Sequence, residues 1–259
     1  MIYSCCATIE DYEKIRLAGY DRIILSAVEL MLMNETAFLE TKNKIENGSL
    51  KCYALNDFCS SDLKLCGPGF DLDSVRAYSR GLVERSAMLG IKSIGIGAPK
   101  SRYIPDGYSA DQALMELKQS LIVICEEARK FNLNILLEAV SGECNFITTT
   151  DEAFDLVKTL GLENFHLVYD TYHAFKMKED EYPLLRAIQE VKLVHVAQDI
   201  DNLRRFPQIG FPEDHQLYFS TLLKCGYDAE IGVEATPMNM NGELRGTLRI
   251  LKNLCGEPV

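Results

Sequence analysis

The sequence predicts an α/β fold, a single (β/α)8 TIM barrel, and three observations carry that expectation. Short runs that are apolar throughout recur along the chain, eight in all, with segments of helical apolar spacing between them. Such runs suit parallel strands buried on both faces. The 259 residues match the size of such a barrel, roughly 250 residues. Finally, four successive runs in the C-terminal half each end in an acid or a histidine, where strand ends of a barrel converge on one area.

Taken in order, the first strand is expected at Ile2–Cys6, and a helix closing at Gly19 leads to the second at Arg22–Leu25. The third is Lys51–Leu55. Val75, Tyr78, Leu82, Val83 and Leu89 then lie on one helical face, closed by Gly90. The fourth strand, Ser93–Gly97, ends in Gly95-Ile-Gly97, which looks like the start of a dinucleotide-binding loop. Pro99 and Pro105 follow where the helix should begin, which argues against one and against a doubly wound sheet. Leu114, Leu117, Leu121, Ile122, Cys125 and Ala128 form the next helical face and lead to the fifth strand, Asn134–Glu138. Ala153, Phe154, Val157 and Leu160 form another, closed by Gly161, before the sixth, His166–Asp170. The seventh is Leu193–Ala197. A helix from about His215 to Gly226 leads to the eighth, Ile231–Glu234. Irregular segments are expected at Cys59–Leu72, Ala98–Ser109 and Gln198–Asp214, the last two following strand ends and so walling the site. No linker, repeat or low-complexity tract divides the chain, so residues 1–259 are expected to form one domain.

A net charge of −11 argues against a general nucleic-acid binder, which needs a basic face to replace counterions, and against membrane-surface binding. The N-terminal residues lack a basic start and a long apolar segment, and no apolar run approaches the ~18 residues of a membrane span. The nine cysteines are scattered without CxxC spacing. They read as small buried hydrophobes in a reducing, cytoplasmic compartment.

The four terminal residues of those runs are Glu138, Asp170, His195 and Glu234. Three carboxylates and one imidazole form a ligand set for one divalent cation, with Mn²⁺ first and Mg²⁺, Co²⁺ or Zn²⁺ as alternatives, and the set offers no thiolate. Carboxylates on opposite sides of a metal-bound substrate can take a proton from carbon and return it, while the metal stabilises the enediolate between. His173, three residues after Asp170, reads either as a substrate donor or as a capping histidine. Arg204 and Arg205, and likewise Lys100 and Arg102, read as contacts to substrate hydroxyls or phosphate, or as solvated loop charges.

At these residues the chain resembles the xylose isomerase-like barrel superfamily of sugar isomerases and epimerases. The resemblance rests on 97–107 with Arg102, on Glu138 with Glu143 and Asn145, on 169–173, on His195 with Arg205-Phe-Pro207, on Gly226-Tyr227 and on 233–235. The pattern is nearest to ketose 3-epimerases and hydroxypyruvate isomerase-like proteins. It implies that Glu138, Asp170, His195 and Glu234 bind one metal, that Glu138 and Glu234 are also the acid–base pair, and that His173, Arg205, Glu143 and Arg102 contact substrate. The substrate it implies is a ketose or keto-sugar, free or phosphorylated, and the assembly a dimer or tetramer. A dehydratase acting on a cyclic polyol or keto acid would use the same centre. An apurinic endonuclease would need histidines from earlier strands, and none precedes His166. A non-catalytic barrel would not need the intact ligand set.

Overall fold

The computed structural model describes residues 1–208, 210 and 213–257. Ten strands are β1 Ile2–Cys6, β2 Arg22–Ser26, β3 Lys51–Asn56, β4 Ser93–Ile96, β5 Asn134–Glu138, β6 Phe165–Asp170, β7 Val191–Val196, β8 Gln198–Ile200, β9 Leu203–Arg205 and β10 Glu230–Val233. The helices are α1 Tyr12–Ala18, α2 Ala27–Leu32, α3 Glu35–Asn47, α4 Leu72–Met88, α5 Ala110–Arg129, α6 Thr150–Leu160, α7 Thr171–Lys176, α8 Glu181–Ala187, α9 Glu213–Lys224 and α10 Met240–Leu254. Eight strands close a parallel barrel in the order β1-β2-β3-β4-β5-β6-β7-β10, with β10 paired back to β1. This is the (β/α)8 barrel that the sequence predicts.

Two layers of apolar side chains explain why the runs read as apolar throughout. Ile24, Ala54, Leu136, Val168 and Leu193 form a small cluster of their own. Their immediate neighbours Ile23, Leu25, Leu55, Ile135, Leu137, Leu167 and Val194 belong to the large core that packs against the helices. Alternation along a strand sends successive side chains to opposite faces, so the first set fills the barrel and the second its outer wall. The expected helical faces pack into that wall, with Val75, Leu82 and Val83 of α4, Leu117, Leu121 and Cys125 of α5, and Ala153 and Val157 of α6 buried. Gly19 and Gly161 end α1 and α6 in the left-handed conformation that a Cβ disfavours.

Three features depart from the expected elements. α2 and α7 are six-residue helices that start directly at strand ends, too short to show a period; Ser26 and Asp170 cap them, accepting from Glu29 N and Tyr172 N. Part of the expected irregular segment after β7 is an antiparallel hairpin, β8–β9. Its two-residue turn, Asp201-Asn202, has φ of 56° and 58°, a left-handed pair that Asp and Asn tolerate. Residues 209, 211 and 212 of that segment, and 258–259 at the C-terminus, lie outside the described residues.

Candidate metal centre

The barrel alternation also selects the site. Each inward residue of the apolar layer is followed, two positions on, by a residue pointing the same way one layer higher. Leu136 leads to Glu138, Val168 to Asp170, Leu193 to His195, and Gly232 to Glu234. On the other half of the barrel, Ser4 leads to Cys6, Ile24 to Ser26, Ala54 to Asn56, and Gly95 to Gly97. The C-terminal mouth is therefore ringed by polar or small residues.

Glu138, Asp170, His195 and Glu234 each bring a ligating atom into one cluster whose atoms all lie within 4.8 Å of one another. His195 Nδ1 stands 3.3 Å from Glu138 Oε1 and 3.1 Å from Glu234 Oε2. Two ligands on one ion are separated by at most twice a bond of roughly 2.0–2.6 Å, so the spread suits a single divalent cation. The His195 side chain is almost wholly buried, and its Nε2 has no hydrogen-bond partner among the described residues. In the chain by itself the cation at this point is the Arg204 guanidinium, whose Nη2 touches both Asp170 Oδ2 and Glu234 Oε2. The pocket is thus built to neutralise clustered carboxylates with positive charge, and the donor set fits a divalent metal.

Burial and neighbours push the two glutamates apart. Burial, reinforced by the charge of Glu234, raises the Glu138 carboxyl to about 8. Burial would raise Glu234 too, but Arg204 and His195 outweigh it and hold the group well below the usual range. Asp170 is likewise held low against burial by Arg204 and His173. Asn56 Nδ2 donates to Glu234 Oε1 at 2.6 Å, which turns the other oxygen, Oε2, toward His195. Gly97 is needed by close approach, because a Cβ there would stand 2.8 Å from Glu138 Oε2.

The remaining candidates separate clearly. His173 is buried and lines a cavity of about 490 Å³ with Glu138, Ser141, Tyr172, Arg204 and Glu234. Its Nδ1 accepts from the Ser141 backbone N–H at 3.1 Å and lies 2.9 Å from Ser141 Oγ. Burial lowers this imidazole to about 4, so it is neutral. Glu143 lines the same cavity but is largely exposed, with only Lys100 nearby at 3.9 Å. Arg102 does not reach the cavity. It is fully buried, and Nε donates to Gly97 O at 2.8 Å, Nη1 to Ile147 O at 2.8 Å and to Phe146 O, and Nη2 to Glu138 O at 2.9 Å. Its guanidinium therefore clamps the loops after β4 and β5. Arg205 points away, its Nη1 donating to Thr236 O at 3.4 Å. Arg204 takes the inward place: Nε donates to Glu234 O at 2.6 Å, and Nη1 lies 3.0 Å from His173 Nε2. Adjacent residues of a strand face opposite ways, so the hairpin register decides which arginine points inward.

Sequence reasoning missed Cys6, Asn56 and Asp57. Cys6 groups with His195 and Glu234 within 4.8 Å. Asp57, at φ 50°, stands between that 490 Å³ cavity and a second one of about 350 Å³ lined by Cys6, Thr8, Ser26, Glu29 and Asn56. The signal for Cys6 and Asn56 was present: each stands two residues beyond an inward position of its strand.

Comparison with known proteins agrees with the fold. An inosose isomerase of Bacillus velezensis is 27% identical over 135 residues, 46% of this chain and 47% of that protein, so the match spans about half of each. Among solved structures, D-allulose 3-epimerase from Methylomonas sp. in complex with D-allulose superposes with a TM-score of 0.83 at 15% identity, covering 98% of this chain and 96% of the other. An IolI protein with a bound zinc atom gives 0.78 at 16% identity, over 99% and 98%. Residues 13–254 match the family model described as xylose isomerase-like TIM barrel, so the chain belongs to that family.

Proposed function

We propose that this protein is a metal-dependent isomerase or epimerase of a ketose or keto-sugar, with Glu138 and Glu234 as its acid–base pair. The observation that carries the reading is the cluster of Glu138, Asp170, His195 and Glu234 at the barrel mouth. These four residues would hold one divalent ion, which when bound supplies polarisation of a substrate carbonyl and lowers the acidity barrier at the neighbouring carbon. The zinc in the IolI structure and the sugar in the D-allulose 3-epimerase complex support the reading.

The chain's own residues divide the proton work. Glu234 is the base and Glu138 its partner across His195: a carboxylate that ligates through one oxygen keeps the other free, so one of the pair can take a proton from carbon and the other return it. His173, a neutral imidazole lining the cavity, contacts a substrate hydroxyl. Arg204, in place of Arg205, leaves the carboxylates to the incoming ion and turns to substrate oxygens. Val140 and Ala98 give the cavity wall part of its apolar surface. Arg102 is a positioning residue, fixing the backbone that carries Glu138. Nine free cysteines suit a reducing compartment such as the cytoplasm.

Turnover in D2O with Mn²⁺ and a panel of free and phosphorylated ketoses tests this. The expected product is an isomer of the substrate carrying deuterium at one carbon. Glu138→Gln and Glu234→Gln should each lower kcat by about 10³-fold or more while metal is retained, because the amide oxygen still ligates but cannot take a proton. Near-normal turnover in Glu234→Gln would sink the assignment. The inosose isomerase relative favours a second reading, a cyclic polyol or keto acid substrate, with dehydration as its lyase variant. A product lighter by one water would select it.

A further inference from the structure

We propose that Cys6 supplies a sulfur ligand to the metal centre, so that Cys6, His195 and Glu234 hold a thiophilic divalent ion, Zn²⁺ or Co²⁺, in preference to Mn²⁺ or Mg²⁺. This rests on the metal-centre reading above and goes beyond its oxygen–nitrogen set. The barrel register puts Cys6 in the same ring as the four ligands, on the strand adjacent to the one that leads to Glu234. Its Sγ lies within 4.8 Å of ligating atoms of His195 and Glu234. The His195 imidazole has Nδ1 toward the carboxylates, and the ring and the Cys6 thiol interact directly. A buried imidazole beside a thiol is a nitrogen–sulfur donor pair for a metal ion.

Access comes from the far side of the cleft. Cys6 is only partly buried and lines the 350 Å³ cavity with Ser26, Asn56, Asp57 and Glu234, so an ion can reach the thiol without crossing the larger cavity beside His173. The binding step is an exchange of a proton for a metal: Cys6–SH loses H⁺ to solvent as the S–M bond forms, with no change of oxidation state. A divalent ion drives that exchange, because a coordinating thiol is deprotonated outright. Soft thiolate selects Zn²⁺ over Mn²⁺ and Mg²⁺, and geometry leaves His195 and Glu234 common to both sets.

The test uses the full-length protein loaded with Co²⁺ under anaerobic conditions without added thiols. The expected result is a near-ultraviolet thiolate-to-cobalt charge-transfer band that disappears in Cys6→Ser and Cys6→Ala. Competition dialysis should show the Zn²⁺ over Mn²⁺ preference falling by about tenfold or more in both variants. Far-ultraviolet circular dichroism checks their folding. If neither variant folds, peptide-resolved alkylation of the wild type decides: Zn²⁺ should protect Cys6, and an unprotected Cys6 with Zn²⁺ bound overturns the proposal. Cobalt bound without the band, or a band that survives both substitutions, also overturns it while leaving the four-residue centre standing. No cobalt binding at all, in wild type as in Asp170→Ala, overturns the metal centre itself.

Discussion

At the scale of single residues, position in the barrel pleat decides role more than residue type does. Arg102 is fully buried and Arg204 only partly so, and while Arg102 donates to four backbone carbonyls, Arg204 turns its Nη2 to the carboxylates of Asp170 and Glu234. Arg102→Met should therefore destabilise the protein by about 2–4 kcal/mol, because buried carbonyls are left unpaired and the charge-assisted bonds are lost. Urea unfolding measures this. Lost turnover at unchanged stability would instead restore Arg102 as a substrate contact. Gly97→Ala makes the complementary case. Its Cβ would press on the Glu138 carboxylate at 2.8 Å, so metal affinity should fall by about tenfold with stability changed by less than about 1 kcal/mol. Isothermal titration and thermal unfolding on the same sample separate the two.

At the scale of elements, the helices on the β6–β7 side hold titratable groups against the core. His215 of α9 stacks on Phe175 of α7 with ring centroids 5.3 Å apart, and burial lowers its imidazole to about 4 from an ordinary 6.5. A buried imidazole that resists protonation binds fewer protons folded than unfolded. Stability is then complete above about pH 6.5 and falls as the pH drops toward 4. His173 contributes in the same direction. His215→Phe should remove up to about 3 kcal/mol of that acid-induced loss, read as a flatter dependence of the urea midpoint on pH. Parallel profiles for variant and wild type would show that His215 does not carry it. The β8–β9 hairpin illustrates the opposite kind of element. It buries little, and its worth lies in its register, which turns Arg204 inward and Arg205 toward Thr236.

At the scale of the whole molecule, the four candidate ligands stand at the ends of β5, β6, β7 and β10, which lie side by side in the barrel. An ion held by all four ties together strands that are far apart in sequence, and it relieves the mutual repulsion of three buried carboxylates. Zn²⁺ or Mn²⁺ at 100-fold over its Kd should stabilise the fold by about 2.7 kcal/mol. For a chain of this size that is a rise in Tm on the order of 5–10 °C, reversed by a chelator. An unchanged Tm at saturating metal would mean that no ion binds preferentially to the folded state.

The sequence by itself determined the barrel and the convergence of Glu138, Asp170, His195 and Glu234 at its mouth, and the reason is periodicity. Strands buried on both faces leave continuous apolar runs. A run that ends in Glu, Asp or His declares both the end of the strand and a polar group at the mouth, as at Glu138, Asp170 and His195. What only the tertiary structure decided are contacts that carry no local pattern. Asn56 reaching Glu234 across 178 residues, Cys6 beside His195, and Arg102 clamping two loops depend on how the sheet closes, because closure sets which side chains share a ring. Arg204 and Arg205 were inseparable in the sequence, since a hairpin's register is fixed by its turn. The Asp201-Asn202 pair that makes this turn became legible only once both residues were seen at positive φ.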